Sequence, residues 1–290
     1  MTGMRLALPI LMLSMAAQAA VVGPYSPAAG QPGSTAISYY TEGGVDHHDS
    51  RILGWASEAP VITRGLQSVA NPGLGTVTWG SESDALGPAN AYDLSDDPQD
   101  PESGTSVVSL GDGGSITLTF STPFGNGPGP DLAVFENAHS DDFLELAFVE
   151  VSSNGTTFHK FRSISLTQTA TQVGGFGSLD TTYIHNLAGK FRAGFGTPFD
   201  LAELAGIPDL DISMITHVRI TDVVGSLNAS YRTLDSQGRP INDPWQTPFE
   251  TGGFDLDAVA YLNIPEPATL SLFALGVVSP ALLRRRRTRW

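Results

Sequence analysis

Apolar and polar positions alternate with a period of two through much of the middle of the chain, the spacing of strands that bury one face. In VVSLGDGGSITLTF, β runs at 107–110 and 115–120 flank Gly-Asp-Gly-Gly, which predicts a hairpin whose turn needs positive φ. DLAVFEN (131–137) reads as the next strand, followed by LELAFVEVSSNGTTF (144–158). There Leu144, Leu146 and Phe148 alternate with Glu145 and Ala147, and Val149 and Val151 then oppose Glu150. The phase slips at Phe148, which fits either a bulge or a strand buried on both faces. Residues 76–79, 161–166, 217–223 and 254–262 carry further strand patterns. One helix is signalled: in TPFDLAELAG, Asp200 caps, Glu203 sits three residues on and Gly206 closes, predicting about two turns. Many short strands punctuated by turns predict an all-β fold, a single β-sandwich or jelly-roll domain with one short inserted helix. No repeat of roughly 20 to 50 residues is present, which disfavours a solenoid or propeller.

The two ends have different patterns. MTGMRLALPILMLSMAAQA places Arg5 before an apolar stretch at 6–15 and ends in the small-residue site Ala17-Gln18-Ala19. This order predicts a signal peptide over 1–19, removed by a signal peptidase. A Gly-, Pro- and Ser-rich, partly extended lead-in then covers 20–50, and the β-sandwich domain 51–263. The last segment, 264–290, holds Pro265-Glu266-Pro267, an apolar run at 268–283 and the cluster Arg284, Arg285, Arg286 and Arg287. That run is 16 residues, about 24 Å as a helix, whereas a full span needs roughly 20 residues. It is a marginal anchor, and the arginines would keep its end cytoplasmic, leaving the body outside.

Composition agrees with the pattern: 32 Gly, 20 Pro and only 16% charged residues favour strands and turns over helices. Removing both ends takes six of the 15 basic residues and one of the 30 acids, which leaves a body at −20. Such a surface repels phosphate backbones and argues against nucleic acid, while divalent cations and neutral glycans remain compatible. The absence of cysteine rules out a disulfide framework, a thiolate metal site and a cysteine nucleophile.

Several acids stand where strands begin or end. Asp131 opens a strand that closes on Glu136, and in FDLDAVAYL Asp255 and Asp257 share one face while Phe254, Leu256 and Ala258 share the other. Asp131, Glu136, Asp255 and Asp257 are the candidate ligands for calcium, a hard cation that takes roughly six to eight oxygens; the alternative is that they face water or cap loop amides. The run YDLSDDPQDPESG lacks the D-x-D-x-D-G order of an EF-hand and reads as a solvated acidic loop. GVDHHDS puts Asp46, His47, His48 and Asp49 in a row, but neighbours on an extended chain point to opposite sides, which sets His47 and His48 against sharing one ion. Tyr183, Tyr231, Trp245 and Phe249 lie in loop-like surroundings and are the candidate sugar-stacking rings. No G-x-S-x-G, H-E-x-x-H, P-loop or dinucleotide fingerprint occurs, so the expectation is that the protein is not an enzyme.

The tail resembles the PEP-CTERM sorting signal of exported Gram-negative proteins, a motif also catalogued as an ice-binding protein C-terminal motif. The matching residues are Pro265, Glu266 and Pro267, the apolar run, and Arg284 to Arg287. The resemblance implies transient insertion in the inner membrane, processing by an exosortase, and a destination at the cell surface or outside the cell, often among exopolysaccharide. ILGWA, ALGPA, NGPGPDLAVFENA, LAGKFRAGFGTPFDLAEL and GGFDLDAVA resemble a group of secreted bacterial surface proteins with a galactose-binding-like jelly roll. In similar sugar-binding jelly rolls an acid on the last strand helps hold a structural calcium, a role that would fall here to Asp255 or Asp257. Ice binding is disfavoured, because Thr167, Thr169 and Thr171 make a single row with no repeat behind it. The resulting expectation is an exported surface or matrix protein with a calcium-stabilised, glycan-binding body. Its alternatives are a hydrolase of extracellular polysaccharide and a passive structural protein.

Overall fold

A computed structural model describes residues 43–91 and 106–264. The signal-peptide, acidic-loop and sorting-tail readings (1–19, 93–102 and 265–290) lie outside the described residues. Among the described residues no helix is long and apolar enough to cross a membrane.

The body is an all-β sandwich in which all strand pairs are antiparallel, and its strands are numbered in chain order. One sheet runs β1 (Val45–Asp46), β11 (Phe195–Phe199), β6 (Leu132–Glu136), β13 (Asp255–Tyr261) and β2 (Gly54–Trp55), with β4 (Val108–Ser109) paired to the start of β13. The other runs β3 (Glu58–Thr63), β5 (Ser115–Phe124), β12 (Ile215–Asp222), β7 (Ala147–Ser152) and β8 (His159–Lys160). A small pair, β9 (Ile164–Ser165) with β10 (Ile184–His185), lies apart from both. The main core fills the space between the large sheets: Ile116, Leu118, Val149, Val151, Val218 and Ile220 from one meet Leu132, Val134, Leu256, Val259 and Tyr261 from the other. A second cluster, including Leu144, Leu146, Leu187 and Ile241, packs under the long loops beyond β7. A third, including Phe135, Ala258, Ala260 and Leu262, lines the outer face of the first sheet.

Burial on both faces explains the lost alternation at Phe148, since Ala147, Phe148, Val149 and Val151 are all buried. The expected 107–120 hairpin does not form. β4 pairs with β13 while β5 pairs with β3 and β12, so Gly111-Asp112-Gly113-Gly114 carries the chain from one sheet to the other. Packing dictates this crossing: a Cβ on Gly114 would sit 1.9 Å from the Leu110 carbonyl oxygen, and Asp222 Oδ2 takes the Gly113 N–H at 2.9 Å. The face assignment on the last strand also changes. The β13–β6 register shifts between Leu256 and Ala258, so Leu256 and Val259 join the inner core while Ala258 turns outward. A bulge of this kind inserts one residue and reverses the alternation beyond it.

The predicted two-turn helix is a single 3-10 turn, Leu201–Leu204. Asp200 Oδ1 accepts from Ala202 N–H at 2.8 Å as expected of a cap, but Glu203 does not reach back; its Oε2 accepts from Asn186 Nδ2 at 2.5 Å. The expected strand at 76–79 reduces to one bridge between Leu66 and Thr76. The 161–166 strand is displaced and split between β8 and β9. Two strands carry prolines and escaped the pattern: Pro60 sits on the edge strand β3, and Pro198 on β11 lies beyond the end of β1, where no ladder donor is needed.

Candidate functional site

β6 and β13 run side by side, with Leu256 opposite Glu136, and β4 sets Ser109 opposite Asp255. This pairing brings the end of β6 and the start of β13 to one corner of the sheet. Glu145, just before β7, approaches the same corner from the other side, held there by close contact of its carbonyl with Gly189, where a Cβ would come within 1.8 Å of it. Glu136, Glu145 and Asp255 thus form a carboxylate group that is nearly sealed from solvent.

Burial is the main force on these acids and repulsion adds to it. Glu136 and Glu145 are both driven well above the ordinary carboxyl range, first by desolvation and then by the charge of Asp255. Asp255 itself is raised to about 7 by burial, with Ser109, Asn137 and Arg64 pulling the other way. Arg64 is a weak counter-charge because its guanidinium donates to the carbonyls of Trp79, Ser109 and Gly80 at 2.6–2.7 Å. Asp255 Oδ1 is buried with no hydrogen-bond partner.

Glu145 and Asp255 line a cavity of about 280 Å³ together with Asn137, Thr247 and Thr251. Its remaining wall is aromatic. His139 and Phe143 have ring centroids 4.8 Å apart, Phe143 and Phe176 are stacked at 6.2 Å, and Phe176 and Phe249 meet at 5.8 Å. Phe176 is 78% exposed, which is unusual for a phenylalanine and leaves a ring face open beside the acids. An acidic floor with an aromatic wall can hold a cation against the floor and stack an apolar ligand face on the wall.

Of the residues singled out from sequence, Asp255 and Phe249 line this cavity, while Glu136 is buried at the same corner, where its Oε2 accepts from Ala138 N–H at 2.8 Å. Asp131 belongs to neither: it takes N–H donors from Gly127 at 2.7 Å and Leu201 at 2.8 Å, and Asn263 Nδ2 at 2.8 Å. Asp257, raised to about 6 mainly by burial, accepts from the amides of Asn90 and Ala91 and so ties that loop to the bulge. Tyr183 sits in the 3-10 turn Thr181–Tyr183 before β10, half exposed. Tyr231 and Trp245 pair with each other at 6.1 Å, and Trp245 Nε1 donates to Asp112 Oδ2 at 3.2 Å. Glu145, His139, Phe143 and Phe176 were missed. Glu145 sits in the regular alternation Leu144, Leu146, Phe148, which reads as a solvent-facing position, and only the tertiary packing before β7 buries it.

Asp222 and Asp243 are also buried and raised, yet they serve the backbone. Asp222 takes the Gly113 and Phe254 amides at 2.9 and 2.8 Å, and Asp243 takes that of Leu146 at 3.2 Å. A smaller cavity of about 170 Å³ lies by Lys190, Asn186 and Glu203, where burial brings the lysine down to about 8.

No curated protein matches the chain. A family model does match its C-terminal end: the PEP-CTERM protein-sorting motif, over residues 263–287. The match takes in Pro265, Glu266, Pro267, the apolar run and Arg284 to Arg287, so the chain carries a PEP-CTERM sorting motif, the mark of an exported, membrane-transiting protein processed by an exosortase.

Proposed function

We propose that the exported body is a glycan-binding module that uses calcium, and that its ligand occupies the cavity between Glu145, Asp255 and the Phe143–Phe176–Phe249 wall. The observation that carries this reading is a group of buried acids whose main counter-charge among the described residues, Arg64, donates to backbone carbonyls, beside a cavity with an exposed aromatic face. Calcium held at Glu145 or Asp255, the two acids that line the cavity, offsets the repulsion among them and Glu136, and the ligand's hydroxyls or water supply most of its oxygen shell. Phenylalanine rings stack on the apolar face of a sugar. Cell-surface or matrix placement after exosortase processing follows from the same reading.

Calorimetric titration of the purified protein with calcium, then with a panel of extracellular polysaccharide fragments, tests the proposal. Expected are calcium heat abolished by Asp255→Asn and glycan binding weakened about two- to tenfold by Phe249→Ala, in line with roughly 0.5–1.5 kcal/mol for a lost ring contact. No heat from either ligand, with no shift in melting, would sink the reading.

A second reading draws on the raised Glu145 and Asp255, because a glycosidase keeps one carboxyl protonated near neutrality as its general acid. Release of reducing sugar that Glu145→Gln abolishes would favour it over simple binding.

A further inference from the structure

We infer a second, independent metal site at the start of the described chain, formed by Asp46, His47 and His48 and suited to zinc or a similar borderline divalent ion. Each of the three residues offers one ligand atom, and those atoms lie within 4.8 Å of one another. Among the described residues this is the one group of three or more His, Cys, Asp or Glu side chains so placed, and the acids of the aromatic cavity do not converge in this way.

The local backbone overturns the expectation that adjacent histidines must diverge. β1 ends at Asp46, where it pairs with Phe195 of β11, and the chain turns at once: Asp49 N–H donates to the Asp46 carbonyl at 2.8 Å, and His48 N–H to Asp46 Oδ1 at 2.7 Å. The turn folds both imidazoles to one side, with ring centroids 3.8 Å apart. Asp46 Oδ1 lies 3.8 Å from His48 Nδ1. Ligands on a tetrahedral zinc at about 2.0–2.1 Å stand roughly 3.4 Å apart, against a spread of up to 4.8 Å here, so side-chain rotation closes the set. The His48 and Asp46 side chains are 76% and 51% exposed and have room for that adjustment.

His47 is the fixed member. Its side chain is 14% exposed, its amide donates to the Gly194 carbonyl at 3.0 Å, and its Nδ1 lies 3.1 Å from the same oxygen. With Nδ1 donating to that carbonyl, the ring offers its other nitrogen, Nε2, to an ion, the arrangement found in metal-bound histidines. Two imidazoles and one carboxylate favour zinc, copper or nickel over calcium, which prefers oxygen alone. The remaining coordination position faces solvent and would take water or a ligand oxygen.

Untagged full-length protein titrated with zinc chloride at pH 7.5, in buffer that does not chelate, tests the inference. Expected is one zinc per chain at this site, undiminished by excess calcium, with affinity lowered at least about tenfold by His48→Ala or Asp46→Asn and unchanged by His159→Ala. If His47→Ala disturbs folding through its contact with Gly194, the exposed His48→Ala variant still decides the matter, provided its melting in chelator matches the parent. Zinc binding in His48→Ala and Asp46→Asn equal to that of the parent, or no zinc binding in the parent, overturns the site.

Discussion

Asp131 and Asp255 are both sealed from solvent, yet their oxygens meet different surroundings. Three N–H donors converge on Asp131, whereas Asp255 faces Glu136 and Glu145 and leaves Oδ1 without a donor. A buried carboxylate whose oxygens both have donors holds loops together; one with an unsatisfied oxygen beside other acids invites a cation or a proton. The two should therefore respond to substitution in opposite ways. Asp131→Ala leaves the Gly127 and Leu201 amides unsatisfied and is expected to cost roughly 2–4 kcal/mol, read as a lower melting temperature in calcium and chelator alike. Glu145→Gln keeps this position of a crowded site neutral at every pH with little change of shape. It should raise the melting temperature in chelator at pH 7.5 and weaken any stabilisation by calcium, so a lower melting temperature in chelator would contradict the repulsion argument.

At the scale of elements, the strands that build the site were largely legible. DLAVFEN and FDLDAVAYL announced β6 and β13, and with them Glu136 and Asp255. What they could not announce was the bulge at Asp257, because a reversed alternation depends on the partner strand's register. Nor could the Gly111–Gly114 segment reveal that it crosses between sheets, since a tight hairpin and a crossing both need positive φ. The aromatic wall was the least legible part: His139 and Phe143 share one loop, but Phe176 and Phe249 come from two others far away in sequence, and only packing joins the three. Placement of Glu145 depends on another such loop. Gly189, at φ 80° and against the Glu145 carbonyl, admits no side chain. Gly189→Ala is expected to destabilise the fold by about 1–3 kcal/mol and to reduce calcium binding as Glu145 shifts. Unaltered binding and melting would show that the loop has slack which the packing does not suggest.

For the whole molecule, the buried acids dictate how stability follows pH. In the unfolded chain an aspartate such as Asp255 ionises near 3.8, and in the folded body Asp255 holds its proton to about 7. Between those values the folded state binds a proton that the unfolded state has lost, so stability falls as pH rises. Asp257, raised to about 6, works in the same direction from 3.8 upward, as do Glu136, Glu145, Asp222 and Asp243 over wider ranges. Asp142, held low first by Ser178, and Asp235, where hydrogen bonds including those from Arg239 outweigh burial, act oppositely: their contribution is lost as pH falls through their folded values. The chelated protein should therefore melt highest near pH 4–5 and lower at pH 7.5. Calcium, by binding the ionised carboxylates, should raise melting most at pH 7.5 and least at pH 5, where protons compete for the same oxygens. Thermal melts across pH 4–8, with chelator and with millimolar calcium, measure both curves. A chelated protein most stable at pH 7.5 would mean that the carboxylate corner already has a counter-charge, and a calcium effect equal at both pH values would place the cation on other oxygens.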